Sequence, residues 1–163
     1  MNELPKSQVL NLVLTTDDRE KLLYEIETLK NSLYGSSSDK FENALKNEVR
    51  LGFSQIIAEE IQGQDPGHYL ETLYNQLLEL QEVKLEIAYE ASMGSISRIH
   101  EVLVRLIGYN IIIDLSINKY ILGGTVIIFR GKYLDLSMRK IFDAEVKSAR
   151  EGLLNMLEKK VSA

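Results

Sequence analysis

Residues 122–141, LGGTVIIFRGKYLDLSMRKI, constrain the fold of this chain more than any other stretch. Gly123 and Gly124 release a β-branched run, Thr125 to Arg130, that reads as a strand. Gly131-Lys132 supplies a tight turn, because glycine takes positive φ without steric cost. Tyr133-Leu-Asp135 returns the chain as the second arm of a hairpin, and Ser137 caps a final helix. Along that helix Ile141, Phe142, Val146, Ala149, Leu153 and Leu157 form a stripe expected to be mostly core. The order strand, turn, strand, cap, helix is a packing arrangement and sets up no reactive centre.

Upstream, the period of the apolar residues changes once. Before residue 81 it is helical. Asp17 with Glu20 three positions on predicts a helix start, followed by Leu22, Ile26, Leu29 and Leu33 on one face, and Gly35 to Ser38 ends it. A second helix is expected from Asp39, with Phe41, Leu45, Val49, Phe53 and Ile56 on one side. Asp65-Pro66 opens a third, carrying Leu70, Leu73, Leu77 and Leu80. Residues 4–14 are apolar enough to dock on these helices as a short helix. From Val83 the alternation of Val83, Leu85, Ile87 and Tyr89 predicts a strand. A helix over Ser95–Gly108 buries Ile96, Ile99, Leu103, Leu106 and Ile107, and Ile111-Ile-Ile113 reads as a strand covered on both faces. The fold class expected is a mixed α+β and α/β chain. A helical segment at 1–81, bundle or hairpin, precedes a small α/β domain at 82–163 built from a βαβ unit, a hairpin and a last helix.

Composition narrows the functions. No cysteine is present, so disulfides and thiolate metal sites are excluded. No apolar run approaches the ~20 residues of a membrane-spanning helix. The net charge of −5 argues against nucleic acid as the main partner. Charge is uneven: residues 1–80 hold 7 Lys and Arg against 14 Asp and Glu, whereas residues 81–163 hold 12 against 10. Such a split fits solvated helix faces or an acidic half that meets a basic partner. Gly123-Gly124 is followed by a strand where a phosphate-cradling loop needs a helix N-terminus. His68 and His100 are the only histidines and have no metal-ligand spacing. Asp17-Asp18 and Glu59-Glu60 read as helix-end and surface carboxylates. Neither a cofactor, a metal nor a small-molecule substrate is expected. A basic patch of Arg130, Lys132, Arg139 and Lys140 is set to dock an acidic partner helix or lies as ordinary surface.

The segment from about Leu85 to Phe142 resembles the C-terminal part of the delta subunit of F-type ATP synthases, the oligomycin-sensitivity-conferring protein family. The resemblance rests on Tyr89-Glu-Ala-Ser92, Ile111-Ile-Ile-Asp114, Ile121-Leu-Gly-Gly124, Val126-Ile-Ile128, Gly131-Lys132 and Asp135-Leu-Ser137 followed by Arg139. The family's six-helix N-terminal domain has no counterpart of that length in residues 1–80. The resemblance implies a non-catalytic subunit of the peripheral stalk, on the cytoplasmic face of the cell membrane. Its implied partners are the b-type stalk helices and the alpha-subunit N-termini of the catalytic head. Arg139, Lys140, Leu153, Leu154, Met156 and Leu157 are the candidate partner-binding residues, and Gly123, Gly124, Gly131, Asp135 and Ser137 the structural motif. Two other readings stay open: an E-type stalk subunit of a V/A-type ATPase, or an unrelated regulatory or protein-interaction α/β domain.

Overall fold

The computed structural model describes residues 7–34, 39–108, 110–139, 142–143 and 145–151. Contact density divides the chain into two compact units, each discontinuous in sequence. The first joins residues up to Glu82 with Ile96–Ile113, and the second joins Val83–Ser95 with the chain from Asp114 onward.

In the first unit a 3-10 helix, Gln8–Leu12, precedes α1 (Thr16–Leu33), α2 (Asp39–Asn47), α3 (Leu51–Glu60) and α4 (Pro66–Leu78). α1 packs on α2 and α4, and the 3-10 helix packs on α3. Leu22, Ile26, Leu29, Phe53, Leu70, Leu73 and Leu77, read from spacing, meet in one apolar cluster with Val9, Val13, Ile57 and Ile112, whereas Phe41, Leu45, Val49 and Ile56 are only partly buried against it. Each buried member contributes roughly 1.5–3 kcal/mol when fully withdrawn from water. α4 starts where Asp65 and Pro66 indicated, with the Asp65 carboxylate accepting the His68 N–H at 2.7 Å.

Three details differ from the sequence expectation. α1 starts two residues early, because Thr15 and Asp18 form the reciprocal cap in place of Asp17 and Glu20: Thr15 Oγ1 accepts the Asp18 N–H, and Asp18 accepts the Thr15 N–H at 3.1 Å. The docking segment is a 3-10 helix rather than an α-helix, capped by the Ser7 hydroxyl on the Val9 N–H. The single second helix is two, broken between Asn47 and Leu51. The break is held by Glu25, which is buried on α1. Its carboxylate accepts the Arg50 backbone N–H at 3.0 Å, and Arg50 Nε and Nη2 at 2.8 and 2.9 Å. A carboxylate that takes both the main chain and the fork of one arginine fixes where the next helix begins.

A single carboxylate also pins the start of the described chain. Glu60, the last residue of α3, accepts the Ser7 hydroxyl at 2.6 Å and the Gln8 N–H at 2.8 Å, and also the Tyr69 hydroxyl from α4. Burial pushes the Glu60 carboxyl up, but these donors outweigh it and hold it below its ordinary 4.5. Burial, reinforced by the bond to Glu60, drives the Tyr69 phenol far above its ordinary 10.0. Glu60 therefore contributes stability above 4.5 that is lost as pH falls through its lowered value. Tyr69 contributes stability below 10.0 that is lost as pH rises toward its raised value. Urea unfolding followed across pH is expected to show both limbs, and Tyr69→Phe to flatten the alkaline one; an unchanged alkaline limb would contradict the assignment.

The strands β1 (Gln81–Ile87), β2 (Ile111–Ile117), β3 (Thr125–Phe129) and β4 (Lys132–Asp135) form one mixed sheet in the order β2-β1-β3-β4. The helix α5 (Met93–Ile107) connects β1 to its neighbour β2. β3 pairs antiparallel with β1 and with β4. Val83, Leu85 and Ile87 are buried, as are Ile111, Ile112 and Ile113, whereas Tyr89 lies beyond β1 and is exposed. On α5, Ile96 and Leu103 are buried but Leu106 is exposed, one of the expected core positions that the fold leaves in water. Leu14 adds to the edge of the first unit's β2 segment: its carbonyl accepts the Ile113 N–H at 2.9 Å, and Thr15 bridges Ile113 in parallel.

Candidate partner-binding surface

The second unit builds its distinctive surface from the hairpin outward. The register pairs Phe129 with Lys132, so Arg130 and Gly131 are the two turn residues, rather than Gly131 and Lys132. Both have positive φ, 47° and 75°, the pattern of a type I′ turn whose twist matches that of the strands. The Arg130 guanidinium lies 5.1 Å from the centre of the Phe129 ring.

At the other end of the hairpin the chain folds onto itself. The Leu136 N–H donates to the Thr125 carbonyl at 2.9 Å, and the Met138 N–H donates to the Gly123 carbonyl at 3.0 Å. Between them the Asp135 carboxylate accepts the Ser137 N–H at 2.8 Å, which tightens the turn into the last helix. Gly124 has φ +83°, and a Cβ there would lie 2.4 Å from the Leu136 carbonyl oxygen and 2.9 Å from Ser137 Cα. A Cβ on Gly123 would meet Met138 Sδ at 3.0 Å. Gly123, Gly124, Asp135 and Ser137 are thus one corner, while Gly131 sits at the far tip. The loop that leads into the corner is tethered by Asn118, which donates to the Glu86 carboxylate at 2.7 Å.

This corner inverts the usual sidedness. Along Leu134-Asp-Leu-Ser-Met138 the polar residues turn inward: Ser137 is buried and Asp135 half-buried, while Leu134, Leu136 and Met138 are exposed. Leu122 is 74% exposed, Met138 61% and Phe142 67%. Residues 138–139, 142–143 and 145–151 are helical, but Phe142, Val146 and Ala149 are all exposed. The expectation that this stripe is core is therefore corrected as far as residue 149. The described apolar side chains of this stripe are left open to water. Clustered large apolar side chains on a surface mark a site of association.

Arg139 is exposed and lies 4.0 Å from the Asp143 carboxylate one helical turn on. Lys140, Leu153, Leu154, Met156 and Leu157 lie outside the described residues. Leu122, Leu134, Leu136 and Met138 were not singled out from sequence, and Phe142 was read only as a core position. The signal for Leu134, Leu136 and Met138 was the alternation in 134–138, which shows two faces without saying which is inside. Among the described residues no group of three His, Asp or Glu side chains converges as a metal site requires, and no helix is long and apolar enough to cross a membrane.

No curated protein matches the chain. A family model described as the ATP synthase delta (OSCP) subunit matches residues 13–149, from the buried Val13 through the hairpin corner into the last helix. The chain belongs to the ATP synthase delta (OSCP) subunit family, the structural stator subunits of the peripheral stalk of F-type ATP synthases.

Proposed function

We propose that this subunit ties the b-type helices of the stalk to the catalytic head, holding the head against the torque of rotation. The observation that carries the reading is the family match over residues 13–149. The open apolar face around Leu122, Met138 and Phe142 supports it, because a stator link needs a broad surface to grip. In this reading Arg139, Lys140, Leu153, Leu154, Met156 and Leu157 contact the stalk helices. The acidic residues of the helical half receive the alpha-subunit N-termini of the head. The subunit then sits at the cytoplasmic face of the cell membrane as a peripheral part of a proton-translocating complex, and takes part in ion transport only mechanically.

Charge reversal tests the stalk contact. Arg139→Glu with Lys140→Glu is expected to weaken capture of the b-type helix pair about tenfold or more, since like charges across an interface cost several kcal/mol. Circular dichroism should stay unchanged, Arg139 being exposed. Capture equal to that of the unmodified chain would remove Arg139 and Lys140 from the interface.

A further inference from the structure

Residues 7–13 of the helical unit are attached in an unusual way. At one end the chain is fixed twice: Leu14 is bonded to Ile113, and its own N–H, with that of Thr15, donates to the Asp18 carboxylate at 3.3 and 3.1 Å. At the other end the Glu60 carboxylate gathers the Ser7 hydroxyl and the Gln8 N–H, with Tyr69 bracing it from α4. The Ser7 hydroxyl also lies 3.1 Å from the Tyr69 hydroxyl. Between these ends the segment is a single 3-10 helix, and two valines, Val9 and Val13, are its fully buried side chains. The bonds at its two caps are long, Leu10 N–H to Ser7 carbonyl at 3.2 Å and Val13 N–H to Leu10 carbonyl at 3.3 Å. A 3-10 turn of this length has little stability of its own. Glu60 is moreover the last residue of α3, where the helix dipole disfavours a negative charge, so its donors are what make the carboxylate stable there.

We infer that residues 7–13 are a hinged strap over α3, closed by the Glu60 latch and able to open as one unit while the helices beneath stay folded. The fixed end at Leu14 and Thr15 is the hinge. Opening withdraws Val9 and Val13 from the cluster and bares the apolar side of α3 that the 3-10 helix covers. The strap is therefore a displaceable cover, and access to the α3 face is set by one carboxylate rather than by the stability of the whole unit.

Native-state hydrogen exchange of the full chain, resolved by residue, tests this. Glu60→Gln is expected to speed exchange at Val9, Leu10 and Val13 by about tenfold to a hundredfold, the loss of hydrogen bonds to a charged group. The Ile113 amide, beyond the hinge, and the amides of Ile26, Leu29, Leu73 and Leu77 should keep their rates within about twofold. Ser7→Ala and Tyr69→Phe are milder variants, each removing one contact to the latch, and should show the same pattern at smaller amplitude. Unchanged rates at Val9, Leu10 and Val13 would overturn the latch. Acceleration in step with the α1 and α4 amides would overturn the independent strap.

Discussion

Replacing Gly124 with alanine is expected to lower unfolding stability by about 3 kcal/mol or more, read as a large drop in the urea midpoint. Two costs add. A side chain at φ +83° is held in the left-handed region, which strains a non-glycine residue by about 1–3 kcal/mol. Its Cβ then lies 2.4 Å from the Leu136 carbonyl oxygen, a backbone atom that cannot swing aside, and overpacking of this kind costs about 1–3 kcal/mol. Gly131→Ala is the matched control. Its φ is +75°, but nothing lies within 4 Å of its Cβ, so only the strain remains, about 1–2 kcal/mol. Equal losses at the two positions would mean that the corner opens readily, and that the close approach of Gly124 to Leu136 is unimportant.

The second large effect is expected at Arg50, and its asymmetry is the informative part. The Glu25 side chain is 9% exposed and that of Arg50 46%. Arg50→Ala strands a buried carboxylate, with the backbone N–H as its remaining bond from that residue, and should cost about 3 kcal/mol. Glu25→Ala strands a guanidinium that can turn to water, and should cost about 2 kcal/mol, chiefly the lost hydrogen bonds and packing. The double variant should cost less than the sum, because the pair is one interaction. Chemical denaturation of the three variants decides it. Additive losses, or a larger loss at Glu25, would show that the break between α2 and α3 is set by something other than this pair.

Both effects concern contacts that no local pattern discloses, and they show where reading the chain stops. The Asp65-Pro66 helix start was legible because cap and capped amide are three residues apart. The faces of α1 and α4 were legible because Leu22, Ile26 and Leu29, and Leu70, Leu73 and Leu77, follow the period of the helix itself. The break before Leu51 was not, because no glycine or proline lies between Asn47 and Leu51 and its acceptor, Glu25, lies 25 residues before Arg50. The strap shows the same thing at greater range, with Ser7 meeting Glu60 across 53 residues. At the hairpin tip the turn was placed one residue late: a two-residue turn demands positive φ at both positions, and Arg130 carries the first of them.

The candidate surface divides along the same line. The residues of the corner, Gly123, Gly124, Asp135 and Ser137, were readable as a set, since glycines before a strand and an Asp-x-Ser step before a helix each have a local use. That Leu134, Leu136 and Met138 face water follows only from the fold. The corner turns Asp135 and Ser137 inward to close the backbone, and the alternate side chains have to point out.

Sequence by itself determined the order of helices and strands, the buried faces of the long helices and the family-bearing motif, because each depends on spacing within a few residues. Tertiary structure alone decided where the second helix breaks, what holds the first residues down and which side of the hairpin corner is apolar. Those outcomes rest on single hydrogen-bond acceptors and one close backbone contact between distant residues, and linear spacing carries no record of who meets whom.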